Sequence, residues 1–153
     1  MAAETPAPAP WYAAYPAPKS EAATMPREEV LVMLKEQRPG KDFVLVDLRR
    51  NDHEGGTIRG SINLPAQSLY PSLPTIYRMF KEAGVRRVIW YCGSSRGRGS
   101  RATSWFADLI ASEGDTSMQS LALLEGIRGW ANAGGEYVEW MDGYEAAVWT
   151  KSG

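Results

Sequence analysis

Three short apolar runs, each closing on a polar or reactive residue and separated by stretches with helical spacing, restrict this chain to few folds. Phe43-Val-Leu-Val46 ends at Asp47, Arg86-Arg-Val-Ile-Trp-Tyr91 ends at Cys92, and Ser120-Leu-Ala-Leu-Leu124 ends at Glu125. Runs of this length, rich in β-branched and aromatic residues and without polar alternation, read as strands buried on both faces. Helices are expected near Leu73 to Ala83 and near Ser100 to Ser112. An earlier helix is expected after Thr24, with its hydroxyl as cap, Pro26, Glu28 and Glu29 in the first turn, Val30, Leu31 and Leu34 at helical spacing, and Pro39-Gly40 as the stop. The alternation predicts an α/β domain with a central, mainly parallel sheet covered by helices on both faces. Such sheets carry their chemistry in loops at the carboxyl ends of the strands. Those ends are Asp47-Leu-Arg49, Cys92 to Arg98 and Glu125-Gly126.

The 153 residues suit one core, and no internal repeat suggests a solenoid. With 17 basic and 18 acidic residues the net charge is −1, so neither nucleic acid nor a membrane surface is expected as a partner. No apolar stretch is long enough to span a bilayer. The single cysteine and single histidine exclude an internal disulfide and a zinc site built from thiolates and imidazoles, so no metal and no cofactor is expected. The first basic residue is Lys19, which fits neither a secretory signal nor an Arg-rich transit peptide. A cytoplasmic or nuclear location is the expectation.

Residues 1–24 hold five of the ten prolines, interleaved with alanine, and are expected to form a disordered Ala/Pro-rich tail ahead of a domain over 25–153. Trp11, Tyr12 and Tyr15 are expected at most to pack one end of this tail onto the domain. Near the other terminus, Tyr137, Trp140 or Met141, Tyr144 and Val148 have the spacing of one amphipathic helix face packed within the molecule.

The densest chemistry lies in Cys92-Gly-Ser-Ser-Arg-Gly-Arg-Gly-Ser-Arg101, between an expected strand and an expected helix. A lone cysteine after a strand is commonly a small buried hydrophobe. These ten residues, however, hold three arginines, three glycines and three serines, and a merely structural loop has no need of three guanidinium groups. Cys92 and Arg98 have the spacing C-x5-R. A thiolate at the bottom of such a loop can attack a tetrahedral oxyanion if the loop amides curl round to meet its oxygens. Gly93, Gly97 and Gly99 are expected to allow that curl, and Ser94 and Ser95 to add hydroxyl donors. The following helix would aim its N-terminus at the same point, and Arg98 would grip two oxygens in a fork. Gly93, Ser94, Ser95, Arg96 and Gly97 thus form the expected oxyanion-binding loop between Cys92 and Arg98. No Gly-Lys-Ser/Thr follows the glycines, which excludes a nucleotide P-loop.

Taken together, Val46-Asp-Leu-Arg49, Gly56-Thr-Ile-Arg-Gly-Ser-Ile-Asn-Leu-Pro65, Val88-Ile-Trp-Tyr-Cys92 and Leu124-Glu-Gly-Ile-Arg-Gly-Trp130 resemble the rhodanese fold across about residues 25–133. The loop is similar to that of the M-phase inducer phosphatases and their small single-domain relatives, which include arsenate reductases. The resemblance implies Cys92 as nucleophile and Arg98 as oxyanion-binding residue. The sulfurtransferase branch has a loop one residue shorter, whose arginine would fall at Gly97. Two positions depart from the phosphatase pattern: Tyr91 stands where histidine is usual, and Gly97 where the inducer phosphatases carry a glutamate proposed as leaving-group acid. A leaving-group acid, if required, must come from elsewhere, with Asp52, Glu54 and Glu125 unranked. Asp47 and Arg49 read as scaffold, His53 as a solvated loop residue and Trp130 as a core anchor.

The expected function is therefore a cysteine-dependent phosphatase working through a phosphocysteine, on a phosphorylated substrate or small oxyanion. The alternatives are arsenate reduction with an external thiol such as glutathione or glutaredoxin, thiosulfate or persulfide sulfur transfer, and a non-catalytic anion-binding module.

Overall fold

The computed structural model describes residues 8–150, and the three apolar runs are its central strands. In chain order the elements are β1 (Thr24–Met25), α1 (Arg27–Glu36), β2 (Phe43–Asp47), β3 (Thr57–Ile58) and β4 (Ile62–Asn63). Two 3-10 turns lead into α2 (Leu73–Ala83), β5 (Arg87–Tyr91), α3 (Arg98–Ser112) and β6 (Gln119–Leu123). The chain continues through α4 (Gly126–Ala133), α5 (Gly135–Glu139), β7 (Met141–Asp142) and α6 (Ala146–Thr150). A five-stranded sheet has the order β1-β6-β5-β2-β4, with every pairing parallel. This is the α/β architecture that the strand and helix alternation predicts.

Side-chain alternation divides the core between the two faces of this sheet. Val44, Val46, Val88, Trp90 and Cys92 face α2 and α3, where they meet Phe80, Trp105 and Phe106. Phe43, Leu45, Ile89, Tyr91 and Leu123 face the other side, against Val30 and Leu34 of α1 and Ile127 and Trp130 of α4. The sheet therefore delivers Cys92 and Tyr91, adjacent in sequence, to opposite faces.

Three local expectations are corrected. Thr24 does not cap α1: it pairs with Ala122 in β1, and the N-cap is Pro26 without a side-chain bond. Strand pairing has overridden local capping. The expected amphipathic helix after residue 137 is broken into α5 and α6, because Met141–Asp142 pairs antiparallel with Thr57–Ile58 and Gly143 turns the chain at φ +71°. Lastly, residues 8–24 do not form the poorly ordered tail that their composition predicts. Lys19 and Ser20 donate backbone N–H bonds of 2.8 Å to the Asp108 carboxylate, and Trp105 Nε1 donates to the Pro16 carbonyl at 2.9 Å. Tyr15 lies 5.0 Å from the Tyr70 ring, and Trp11 lies 5.9 Å from Trp105. Buried aromatic area and side-chain partners on α3 offset the ordering cost of a segment whose prolines supply no donors. Residues 1–7, Pro6 among them, and residues 151–153 lie outside the described residues.

Candidate active site

Cys92 leaves the carboxyl end of β5 and α3 begins six residues later, so the intervening loop is shaped by what holds its two ends. At the first end, Ile127 N–H and Arg128 N–H of α4 donate to the carbonyls of Cys92 and Gly93, each at 3.0 Å. Gly126 makes this approach possible: its φ is +61°, and a Cβ there would lie 2.5 Å from both carbonyl oxygens. Gly126→Ala is accordingly expected to lose roughly 1–3 kcal/mol in denaturant unfolding, through strain and forced displacement. Gly93→Ala, whose added Cβ would meet nothing within 4 Å, should cost little. Equal losses in the two variants would contradict this account of the loop.

Within the loop the Cys92 sulfur, 2% exposed as a residue, accepts two backbone N–H bonds: from Ser95 at 3.2 Å and from Gly99 at 3.4 Å. The expectation that Gly93, Gly97 and Gly99 supply the left-handed backbone is corrected. The residue in that region is Ser95, at φ +64°. Gly99 is required for a different reason, since a Cβ there would lie 2.9 Å from Ser95 Cβ and 3.7 Å from the Cys92 sulfur. The serine hydroxyls turn to the loop itself. Ser95 Oγ accepts from Cys92 N–H at 3.4 Å and Ser94 Oγ from Arg96 N–H at 3.2 Å. Two amides thus converge on the sulfur at the N-terminal end of the 15-residue helix α3, where helix polarity favours negative charge.

Cys92, Ser94, Gly97 and Arg98 line a cavity of about 460 Å³. Its remaining walls are Trp11, Tyr12, Asp52, Gln67 and Arg101. The Arg98 fork is engaged: Nη1 and Nη2 donate to the two carboxylate oxygens of Asp52 at 2.8 and 2.5 Å. This pair holds Asp52 down to about 2 and raises Arg98 above its ordinary value, with Cys92 adding a further favourable charge to Arg98. Because the Asp52 value is depressed, the stability contributed by the pair is present above the unfolded value of about 3.9 and is lost as pH falls through about 2.

Of the expected loop residues, Gly93 and Ser95 do not line this cavity, and neither does Arg96. Its side chain lines a neighbouring one with Arg27, Glu125 and Arg128. Among the carboxylates left unranked by sequence, Asp52 alone lines the Cys92 cavity. Glu125 pairs with Arg27 at 2.9 Å, and Glu54 contributes its backbone carbonyl to Arg49. Trp11, Tyr12, Gln67 and Arg101 were not legible as site residues. Arg101 lies one turn beyond Arg98, which is a usable signal, and adjacent Trp11-Tyr12 in an Ala/Pro segment is another. Nothing local marks Gln67, whose Oε1 is buried without a hydrogen-bond partner among the described residues.

Asp47 and Arg49 form a buried ion pair at 2.8 Å. Arg49 also donates to the carbonyls of Glu54 at 2.9 Å and Gly56 at 2.7 Å, and so fixes the loop that presents Asp52. His53 Nε2 lies 3.4 Å from Asp47 Oδ2 and does not line the Cys92 cavity. Tyr91, on the far face, is hydrogen-bonded through its hydroxyl to Thr57, Ser61 and Ile58. Burial pushes its ionisation up, and the nearby Asp47 charge adds to this. Among the described residues no group of three or more His, Cys, Asp or Glu could hold a metal ion, and no helix is long and apolar enough to cross a membrane.

A model of the rhodanese-like domain matches residues 28–133. The chain belongs to the rhodanese-like family. Solved structures similar to this rhodanese-like domain include the arsenic–antimony reductase of Leishmania major, at a TM-score of 0.69 and 20% identity over 78% of this chain and 84% of that one. The yeast protein Ygr203w, described as a protein tyrosine phosphatase of the rhodanese family, superposes at a TM-score of 0.62 with 18% identity, over 86% and 99% of the two chains. A possible tyrosine phosphatase from Rhodopseudomonas palustris superposes at 0.51 with 21% identity, over 74% and 83%. At these identities the likeness establishes the fold. No curated protein matches the sequence.

Proposed function

We propose that this rhodanese-like domain is a cysteine-dependent phosphatase, and the observation that carries the reading is one cavity lined by both Cys92 and Arg98, with the Ser95 and Gly99 amides bonded to the Cys92 sulfur. The Cys92 thiolate attacks phosphorus, forming the S–P bond as the bond to the ester oxygen breaks. Loop amides and Arg98 take the charge that develops on the equatorial oxygens. Water then displaces sulfur from phosphorus, releasing phosphate and regenerating the thiolate.

Asp52 fits the part of leaving-group acid in this scheme. An oxyanion that takes the Arg98 fork removes the cation that keeps Asp52 ionised and sets a second negative charge beside it. Both effects raise its proton affinity, so it can collect a proton and pass it to the departing oxygen. Asp52→Asn is expected to slow an ester with a poor leaving group by about 10²-fold or more, and p-nitrophenyl phosphate far less. The check is a plot of log kcat against leaving-group pKa, which should steepen in the variant. An unchanged slope would remove Asp52 from this role.

A second reading of the same site, arsenate reduction, is favoured by the absence of a loop carboxylate at Gly97 and by the description of the Leishmania structure as an arsenic–antimony reductase. Arsenate matches phosphate in shape and charge. With Cys92 the only cysteine, an external thiol such as glutathione, or glutaredoxin, would have to supply the electrons. The deciding experiment is a parallel assay of p-nitrophenyl phosphate, arsenate with glutathione, and thiosulfate with cyanide. Phosphatase turnover should exceed the others, and sulfur transfer without phosphatase turnover would overturn the proposal.

A further inference from the structure

The Cys92 cavity is lined by the loop and α3, and another part of its wall comes from residues some eighty positions earlier in the chain. Trp11 and Tyr12 line it, both half-buried. Their placement is fixed by one face of α3. The Arg101 guanidinium carbon lies 3.4 Å from the Tyr12 ring centroid, in a stacked cation–π contact. Trp11 stands edge-on to Tyr12 at 5.3 Å and to Trp105 at 5.9 Å. The bonds to Pro16, Lys19 and Ser20 then carry the segment along the rest of the helix. Arg98, Arg101 and Trp105 recur at helical spacing, so a single helix face presents the oxyanion fork, the seat of Tyr12 and the anchor of Trp11. The neighbouring aromatic, Tyr15, serves packing instead, against Tyr70 and Trp105.

In-line attack fixes where the rest of the substrate must go. The sulfur approaches phosphorus from one side, so the ester oxygen departs on the opposite side. The Trp11 and Tyr12 rings line the same cavity and so offer a leaving group aromatic contacts there. An alkyl chain gains little from ring faces and edges, whereas a planar ring packs against them in offset or edge-on geometry. Stacking on Tyr12 makes the Arg101 guanidinium part of this wall.

We infer that Trp11 and Tyr12 form a subsite for a planar aromatic leaving group, which makes aryl phosphomonoesters the preferred substrate class. The inference rests on the Cys92 phosphatase reading. Its test separates the two by measuring binding rather than turnover, in the full-length chain carrying Cys92→Ser. Phenyl phosphate, ethyl phosphate and inorganic phosphate are titrated calorimetrically. Phenyl phosphate should bind about 10-fold more tightly than ethyl phosphate, the size expected from one or two aromatic contacts. That ratio should fall to about twofold in Trp11→Ala and in Tyr12→Leu, and return in Trp11→Phe. Should Trp11→Ala fail to fold by thermal unfolding, Tyr12→Leu carries the test. A ratio that is near one in the parent, or unchanged in the variants, overturns the subsite, while turnover of p-nitrophenyl phosphate by the chain with Cys92 intact still upholds the Cys92 reading. Failure of all three ligands to bind overturns both.

Discussion

Cys92→Ser is expected to lower kcat/KM on an aryl phosphate by a factor on the order of 10⁴ or more, because a serine hydroxyl with no base to take its proton cannot replace a thiolate. The fold should survive the change, since one small side chain replaces another in a loop held by α4 amides. Within the same assay Arg98→Lys should cost about 10²- to 10³-fold, as expected for a lost transition-state donor, because an ammonium cannot reproduce the two-pronged contact made here to Asp52. Arg96→Lys should change little, its side chain being directed into the neighbouring cavity. Equal losses at Arg98 and Arg96 would mean that the loop acts through general positive charge.

The second large effect concerns stability. Arg49→Leu is expected to destabilise the domain by roughly 3–5 kcal/mol, the cost of leaving a buried carboxylate without its partner. Asp47 is fully buried and, once Arg49 is gone, keeps among the described residues Thr57 Oγ1 at 2.8 Å and His53 Nε2 at 3.4 Å as polar side-chain neighbours. A fall in melting temperature of about 10 °C or more follows from that energy for a domain of this size. Activity in the surviving folded fraction should also fall, since the Glu54 and Gly56 carbonyls lose the guanidinium that fixes the Asp52 loop. A variant as stable as the parent would show that the pair can be dispensed with.

The parts of this architecture that sequence made legible are those governed by neighbours in the chain. The strands at 43–47, 87–91 and 119–123 announce themselves as unbroken apolar runs, and the Cys92 loop by its composition. What stayed hidden depends on distant partners. Asp52 could not be ranked above Glu54 or Glu125 because its assignment comes from a contact with Arg98, 46 residues away. The left-handed residue of the loop is a serine flanked by more permissive glycines, so composition pointed to the wrong positions. Pro and Ala content concealed the role of residues 8–24, since the contacts that order them belong to α3. Near the other terminus, aromatic spacing suggested one continuous helix, although Gly143 already marked where it breaks.

The path of residues 10–20 along α3 also fixes the order in which the pocket can come into being. On a growing chain these residues emerge first, while their seat from Arg101 to Asp108 is synthesised nearly ninety positions later, as the separation between Ser20 and Asp108 shows. The Cys92 loop joins β5 to α3, which are contiguous, and is held by the α4 amides little more than thirty residues on. The aromatic wall needs closure of a loop of nearly ninety residues, a contact whose entropic cost must be met before it contributes anything. A partly opened molecule can therefore hold the Cys92 loop in place without the Trp11–Tyr12 wall beside it, and on the proposed reading selectivity among esters comes only once residues 10–20 have docked on α3.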